Sequence, residues 1–233
     1  MEAPKTKRQD RVGTLRTDQA GPRPTRFRIY ASEVLALVLV LLVGGAGGQE
    51  LRPRPSTAPI IGGPQSPDGK FTVTCDLPAV MRHRNTGGVN GAGLCVFASI
   101  DHAALYQNDR ETIGLFQHMQ HEKGGGWPEK VDAMMRRYCP GAQYVQYEGK
   151  DPAVLELALK TGRMPSITYG GDHMVSLLFM NDEWAAVLDN NFIGEREIRW
   201  FKRADLLRLW RAGSNGWAVV LLHPRPPAAV KSR

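Results

Sequence analysis

Three side chains in this sequence have the chemistry needed to attack and transfer an acyl group: Cys95, His173 and Asp189. A thiolate is a strong nucleophile, an imidazole exchanges a proton near neutral pH, and a carboxylate can fix the orientation of the ring. Each residue also has an ordinary structural explanation, as a small buried cysteine, a histidine at a strand end and a turn aspartate. The chemistry therefore depends on whether the fold brings the three together.

Cys95 follows the glycine-rich stretch Gly91-Ala92-Gly93 and opens an apolar segment that runs to about residue 107. The segment has almost no polar face, which predicts a helix buried nearly all round at the centre of a domain. Cys95 would lie in the first turn of this helix. There the unpaired backbone N–H groups and the helix dipole favour a thiolate over a thiol.

His173 opens the first of two strand-like segments that flank the polar turn 181–183. Two strands around a short polar turn predict a hairpin. A three-residue loop places His173 opposite Asn191 and diagonal to Asp189, on the same face of the sheet. A two-residue loop instead places Asn190 opposite His173. Under either register the imidazole has a carboxylate or a carboxamide within reach.

The rest of the chain after Cys95 divides into a helical half and a strand-rich half. Pro128 suits a first helical position, and Asp151 suits an N-cap. Helices followed by antiparallel strands predict an α+β domain with a cleft between two lobes. The predicted helices are 95–107, 110–121, 128–138, 152–161 and a short one at 203–211, and the predicted strands are 166–169, 173–180, 184–188, 195–201 and 217–222.

The order of these features resembles that of the papain-like cysteine peptidases: a cysteine at a helix start, a histidine opening a strand, and an aspartate ending the next strand. The segments 189–201, 204–210 and 216–222 are similar to the bacteriocin-processing, double-glycine branch. The resemblance covers about residues 85–223. It implies a papain-like α+β fold, in which an N-terminal helical lobe with a central nucleophile helix packs on a C-terminal antiparallel sheet.

The resemblance also implies a role for each site residue. Cys95 corresponds to the nucleophile, His173 to the general base and Asp189 to the residue that orients the base. The two hairpin registers keep Asn190 and Asn191 as alternatives for that last role. The family places a glutamine before the nucleophile to stabilise the oxyanion, and the nearest carboxamide here is Asn90. Such a site needs no cofactor and no metal. His118 and His121 lack convergent ligands, so we predict no metal site there.

The chain before the domain has a different composition. Residues 1–33 form a basic tail that we expect to be disordered, and 34–48 contain ten consecutive Val, Leu and Ala residues followed by glycines. This apolar run is short for a bilayer span and suits a signal peptide or an uncleaved signal-anchor. Residues 49–68 read as a Pro-rich linker, 69–223 as the peptidase-like domain and 224–233 as a disordered tail. The domain is therefore expected to be extracytoplasmic, either secreted or membrane-anchored.

The positive charge of the chain is a weak argument for a nucleic-acid partner. The formal net charge is +7, of which +4 falls within residues 1–49. The rest of the chain has no basic stripe interleaved with aromatic residues. We therefore expect a peptide or protein substrate, with a membrane as a further partner if the N-terminal segment is retained, and no nucleic acid.

Three cysteines leave one unpaired in an exported protein. Cys75, in a strand-like segment, and Cys139, at a helix end, could form a disulfide, or both could be buried and unpaired.

The acidic residues Asp101 and Asp109 are expected on solvated helix positions.

The sequence leaves three functional hypotheses open. The first is a thiol hydrolase that cleaves peptide, isopeptide or amide bonds through a Cys-His-Asp triad and an acyl-enzyme thioester. The second is another acyl-transfer enzyme on the same fold, such as an amidase or a transglutaminase-like enzyme. The third is an exported, non-catalytic binding domain.

Overall fold

A computed structural model describes residues 26–30, 60–61, 63–73, 77–85, 93–123, 125–194, 197–223 and 230–232 of the 233-residue chain. Within these residues helices and a largely antiparallel sheet combine into an α+β fold, the coarse class that the sequence predicts. The apolar run 34–43 lies outside the described residues.

In the part of the chain that the structure describes, eight strands form the main sheet, in the order β1-β4-β9-β5-β6-β7-β8-β2. Neighbouring strands are antiparallel except β1 and β4, which pair in parallel. A separate two-stranded sheet pairs β3 with β10. The strands are β1 (Arg26–Tyr30), β2 (Ile60–Ile61), β3 (Phe71–Val73), β4 (Tyr144–Glu148), β5 (Ser166–Tyr169), β6 (His173–Met180), β7 (Trp184–Leu188), β8 (Ile198–Lys202), β9 (Trp217–Leu221) and β10 (Val230–Ser232).

Helices cover both faces of this sheet. On one face, α1, α2 and α3 pack with Met174 and Trp200 in one core. On the other face, α4 and α5 pack with Val175 and Phe201 in a second core. Because both faces are covered, β7 and β9 are buried at every position, as their continuous apolar sequences require. The helices are α1 (Leu94–Gln107), α2 (Leu115–Met119), α3 (Pro128–Tyr138), α4 (Ala153–Lys160) and α5 (Arg203–Ala212), and Ala79–Met81 form a short 3₁₀ turn.

Helix α1 is buried at thirteen of its fourteen positions, which confirms the prediction of a central helix. Asn108 ends it in the left-handed conformation, which asparagine tolerates well. The polar residues of α1 are buried with partners: the hydroxyl of Ser99 donates to the backbone carbonyl of Met174 on β6 over 3.0 Å. This contact fixes the helix against the strand that His173 opens.

The hairpin of β6 and β7 contains a β-bulge that matters for the site. Next to the turn Met180 pairs with Ala185, one residue further than a three-residue loop predicts. The register shifts between Leu177 and Phe179, and beyond it Ser176 pairs with Leu188. Extending that register places residue 173 opposite residue 191, as the three-residue loop predicted.

The elements of the domain follow the sequence prediction with a few differences. The predicted helix 110–121 is shortened to Leu115–Met119, because Asp109 accepts bonds from Glu111 N and Thr112 Oγ1 and so stabilises a turn before it. Strand β4 was not predicted; its sequence Tyr-Val-Gln-Tyr-Glu mixes polar and aromatic residues.

Three short strands lie in segments that the sequence assigned to tails and a linker. They are Arg26–Tyr30 in the predicted basic tail, Ile60–Ile61 in the predicted linker and Val230–Ser232 in the predicted C-terminal tail. Arg26–Tyr30 alternates charged and apolar residues over its first four positions, and that period of two suits a strand.

We predict that enlarging a small residue in α1 destabilises the fold. Ala98 has no exposed surface, so Ala98→Leu must displace its neighbours and should lower the free energy of unfolding by about 1–3 kcal/mol. The matched control is Ala204→Leu on the exposed side of α5, which should change it by less than about 0.5 kcal/mol. Urea denaturation followed by circular dichroism measures both. Equal effects would contradict the central position of α1.

Candidate active site

The N-terminus of α1 presents Cys95 to a cleft that glycines make narrow. Gly93 precedes the helix with a φ of 84°, a left-handed conformation that favours glycine. A Cβ at Gly93 would lie 2.0 Å from the backbone nitrogen of Gly126, so the 125–127 loop packs directly on the start of α1. Cys95 lies in the first turn, where backbone N–H groups have no intrahelical partner.

His173 is the first residue of β6 and faces Cys95 across the cleft. Its Nε2 lies 2.9 Å from Oδ1 of Asp189, and Nδ2 of Asn191 lies 3.1 Å from the same nitrogen. Cys95 and His173 line the same cleft, and the Sγ of Cys95 lies 3.9 Å from the backbone carbonyl oxygen of Asp172, the residue before His173. The structure therefore brings together the cysteine, the histidine and the aspartate that the sequence selected.

The surroundings of His173 favour the protonated ring. Burial lowers the pKa of the imidazole, but the hydrogen bonds with Asp189 and with Cys95 outweigh it and raise the pKa to about 9. The ring is therefore an imidazolium at neutral pH.

Asp189 is fully buried and both of its oxygens are bonded. Oδ1 accepts from His173 and from the backbone N–H of Asn191, and Oδ2 accepts from Nη1 of Arg199 over 2.8 Å. Burial alone would raise the pKa of this carboxyl, but the hydrogen bonds from His173 and Arg199 outweigh it and hold the pKa below its ordinary value. The carboxylate is thus ionised between two cationic partners.

Asn190 does not contact His173, contrary to the alternative that the sequence left open. Its Nδ2 instead points to the backbone carbonyls of Cys95 and Met174 and to Oγ of Ser99, at 3.1, 2.9 and 2.9 Å. The reason is the register beyond the bulge, which turns Asp189 and Asn191 toward the imidazole and Asn190 to the opposite side. Asn190 therefore connects α1 to β6 directly behind the cysteine.

The cleft beside the thiol is a cavity of about 220 Å³. Trp127 stands at its rim and is 46% exposed, which is unusual for so large an apolar side chain. Much of the remaining wall is backbone, because several lining residues are glycines. The residues that line the cavity include Gly93, Cys95, Gly126, Trp127, His173 and Trp217.

Arg199 is the member of this group that sequence reasoning missed. It lies in β8 between two buried residues, Ile198 and Trp200, so its side chain points to one definite side of the sheet. Arg199 pairs with Val187 on β7, and the diagonal neighbour of that pair is Asp189. The alternation of side chains in β8, together with its register against β7, would have placed Arg199 on the same side of the sheet as Asp189.

The remaining sequence candidates divide between described and undescribed residues. Asn90 and Cys75 lie outside the described residues, so the oxyanion role and the possible disulfide stay predictions. Cys139 is a buried free thiol in this structure, which does not support the disulfide. Burial, together with the carboxylates of Asp101 and Asp109 nearby, raises the pKa of the Cys139 thiol to about 12.

The predicted exposure of Asp101 and Asp109 was wrong, since both are buried. Asp101 accepts from the backbone N–H of Gly114 over 2.8 Å and lies 2.6 Å from Nε2 of His83. Asp109 is held by the turn that shortens the second helix. Both carboxylates are buried because local donors satisfy them, which hydrophobic periodicity cannot reveal.

Comparison with known proteins adds no relative to this picture: no family model, no curated protein and no solved structure matches the chain. Among the described residues, none of the helices has the length and apolar character needed to cross a bilayer. The same residues contain no group of three or more His, Cys, Asp or Glu side chains arranged to hold a metal ion.

The raised pKa of His173 predicts how stability depends on pH. The imidazole has a pKa of about 9 in the folded protein and of 6.5 ordinarily, so the folded state binds its proton more tightly than the unfolded state does. This difference stabilises the fold fully below pH 6.5, and the stabilisation is lost as the pH rises through 9. The free energy of unfolding should therefore fall between pH 6.5 and 9.5, and fall less in His173→Gln. His118→Gln, at an exposed position, should keep the wild-type slope. Urea denaturation at several pH values tests this, and an unchanged slope in His173→Gln would contradict the pairing.

Proposed function

We propose that this protein is a thiol hydrolase that cleaves peptide or related amide bonds, with Cys95 as nucleophile, His173 as proton carrier and Asp189 as the group that orients the ring. The observation that carries the proposal is that Cys95 and His173 line the same open cleft, with the buried carboxylate of Asp189 bonded to the imidazole. Nucleophile, base and orienting group in this order are the arrangement that acyl transfer requires.

The reaction begins with attack of the Cys95 thiolate on the carbonyl carbon of the substrate. A C–S bond forms, and the π electrons move to the carbonyl oxygen. The backbone N–H of Cys95 lies in the first helical turn and is suited to donate to that oxyanion, which is a role that Asn90 is predicted to share. As the tetrahedral intermediate collapses, the C–N bond breaks and His173 gives its proton to the departing amine.

Hydrolysis of the thioester completes the cycle. Neutral His173 removes a proton from water, and the hydroxide attacks the acyl carbon. The C–S bond then breaks and leaves the Cys95 thiolate beside the imidazolium, with the acyl group released as a carboxylic acid. Asp189 stays ionised throughout and holds Nε2 of the ring in place.

Alkylation by iodoacetamide at pH 5.5 tests the thiolate directly. An ordinary thiol with a pKa of about 8.5 is only about one part in a thousand ionised at that pH. We expect Cys95 to react at least about tenfold faster than free cysteine, whereas Cys139 stays unlabelled because its pKa is raised to about 12. Peptide mapping by mass spectrometry assigns the labelled residue.

Two variants separate activation from simple access. His173→Gln should reduce the alkylation rate of Cys95 at pH 5.5 to that of free cysteine or below, and the control His118→Gln should leave it unchanged. Cys95→Ala should keep the circular dichroism spectrum of the wild type and abolish the labelling. Preferential labelling of Cys139, or a wild-type rate no higher than that of free cysteine, would refute the thiol hydrolase.

Trp127 provides a test for peptide binding in the cleft. Its exposed indole stands at the rim beside backbone-rich walls, a surface suited to an apolar side chain of an extended peptide. We expect Trp127→Ala to slow inactivation by a leucine-containing dipeptidyl fluoromethyl ketone by about tenfold, the loss of about 1.5 kcal/mol of apolar contact. Alkylation by the small reagent iodoacetamide should not change.

Leu157→Ala is the matched control for Trp127→Ala. Leu157 is also an exposed apolar residue, 57% accessible, but it lies on α4 beyond the opposite face of the sheet. Its substitution should leave both rates at the wild-type value. If Trp127→Ala does not affect the dipeptidyl reagent, the substrate does not bind along this rim.

A further inference from the structure

We propose that Arg199 is a positioning residue of the site: its guanidinium keeps the buried carboxylate of Asp189 ionised and in one orientation while His173 gains and loses a proton. The inference rests on the proposed function for the proton cycle of His173. The ion pair itself is a property of the structure.

The two carboxylate oxygens of Asp189 accept hydrogen bonds from two different residues. Oδ2 accepts from Arg199 over 2.8 Å, and Oδ1 accepts from Nε2 of His173 over 2.9 Å. Since Arg199 occupies one oxygen, the carboxylate cannot rotate without breaking that bond, and Oδ1 stays directed at the ring.

The guanidinium is itself held in place. Only 12% of its side chain is exposed, and its Cζ lies 4.3 Å from the ring centroid of Phe192, within the range of a cation–π contact. Phe192 follows Asn191, which also contacts the imidazole. Arg199 is thus packed between the carboxylate and an aromatic ring instead of extending into solvent.

The charge around Asp189 changes during the reaction cycle. When His173 has given its proton to the leaving amine, the imidazole is neutral and no longer compensates the carboxylate beside it. A fully buried carboxylate without a counter-charge takes up a proton or draws in water. Arginine remains protonated at every pH of interest, so Arg199 supplies a positive charge that the reaction does not remove.

Other titratable groups around the pair are Cys95 on α1, Tyr169 on β5 and Asp172 in the turn before β6. Tyr169 stacks edge-on against His173 with centroids 5.7 Å apart, and burial raises the pKa of its phenol. Glu197, the residue directly before β8, forms an ion pair with Arg82. Among the described residues, the side chains that form ion pairs with Asp189 are those of His173 and Arg199.

Titration of the His173 ring by NMR tests the inference without requiring a substrate. The ring signal is assigned by its loss in His173→Gln and followed from pH 6 to 11. Removing a neighbouring positive charge makes the His173–Asp189 pair hold its proton more tightly. We therefore expect the midpoint of the imidazole to rise by about one pH unit in Arg199→Gln and to shift far less in Arg199→Lys, which keeps the charge.

The matched control is Lys202→Gln, which removes the same charge from the exposed end of β8, where Lys202 pairs with Glu183. It should leave the midpoint unchanged. A merely structural Arg199 would lower the unfolding temperature of Arg199→Gln without moving the midpoint, and that result would overturn the inference. If Cys95 is labelled as expected and the midpoint does not move, only the role of Arg199 is lost, because the alkylation test of the hydrolase is independent of this one.

If Arg199→Gln does not fold, the double variant Asp189→Asn/Arg199→Gln decides. It removes both members of the buried ion pair, so no charge is left without its partner. A double variant that folds where Arg199→Gln does not supports compensation of Asp189 as the task of Arg199. A double variant that is equally unfolded overturns it.

Discussion

The contact between α1 and β6 is the constraint on which the site depends, since Cys95 and His173 belong to these two elements and are far apart in the chain. Asn190 makes this contact specific: its side-chain amide points to the backbone carbonyls of Cys95 and Met174 and to the hydroxyl of Ser99. The same hydroxyl donates to the carbonyl of Met174. These bonds join the residue that carries the thiol to the residue that follows the imidazole, so the distance between the two reactive groups is set by buried polar contacts.

The three residues that directly follow β7 have different roles in the site, because successive side chains of an extended segment point to opposite sides. Asp189 and Asn191 face His173, and Asn190 between them faces α1. A change of register by one residue would exchange these tasks and leave the imidazole without its carboxylate. The bulge between Leu177 and Phe179 is therefore part of the site, since it converts the pairing at the turn into the pairing that Asp189 needs.

The sequence predicted the central helix, the hairpin and the Cys95–His173–Asp189 group because each has a local signal: an apolar run behind glycines, two strands around a polar turn, and a polar strand end. It left Asn190 open as an alternative orienting residue, because loop length alone leaves the register of the hairpin uncertain by one residue and the sequence does not mark the bulge. Arg199 was missed because its partner is on the neighbouring strand. Asp101 and Asp109 were placed in solvent because hydrophobic periodicity does not register the hydrogen bonds that bury them.

The two described cysteines show why neighbours, more than burial, decide what a thiol can do. Both are nearly inaccessible by residue surface, at 5% for Cys95 and 3% for Cys139. Cys139 lies among carboxylates that, with burial, raise its pKa to about 12, so it remains a neutral core residue. Cys95 instead lines a cleft together with His173, whose imidazolium is stabilised by its bond with the buried carboxylate of Asp189. The carboxylate at this site is therefore bonded to the imidazole of His173, and Arg199 compensates the cost of burying that negative charge.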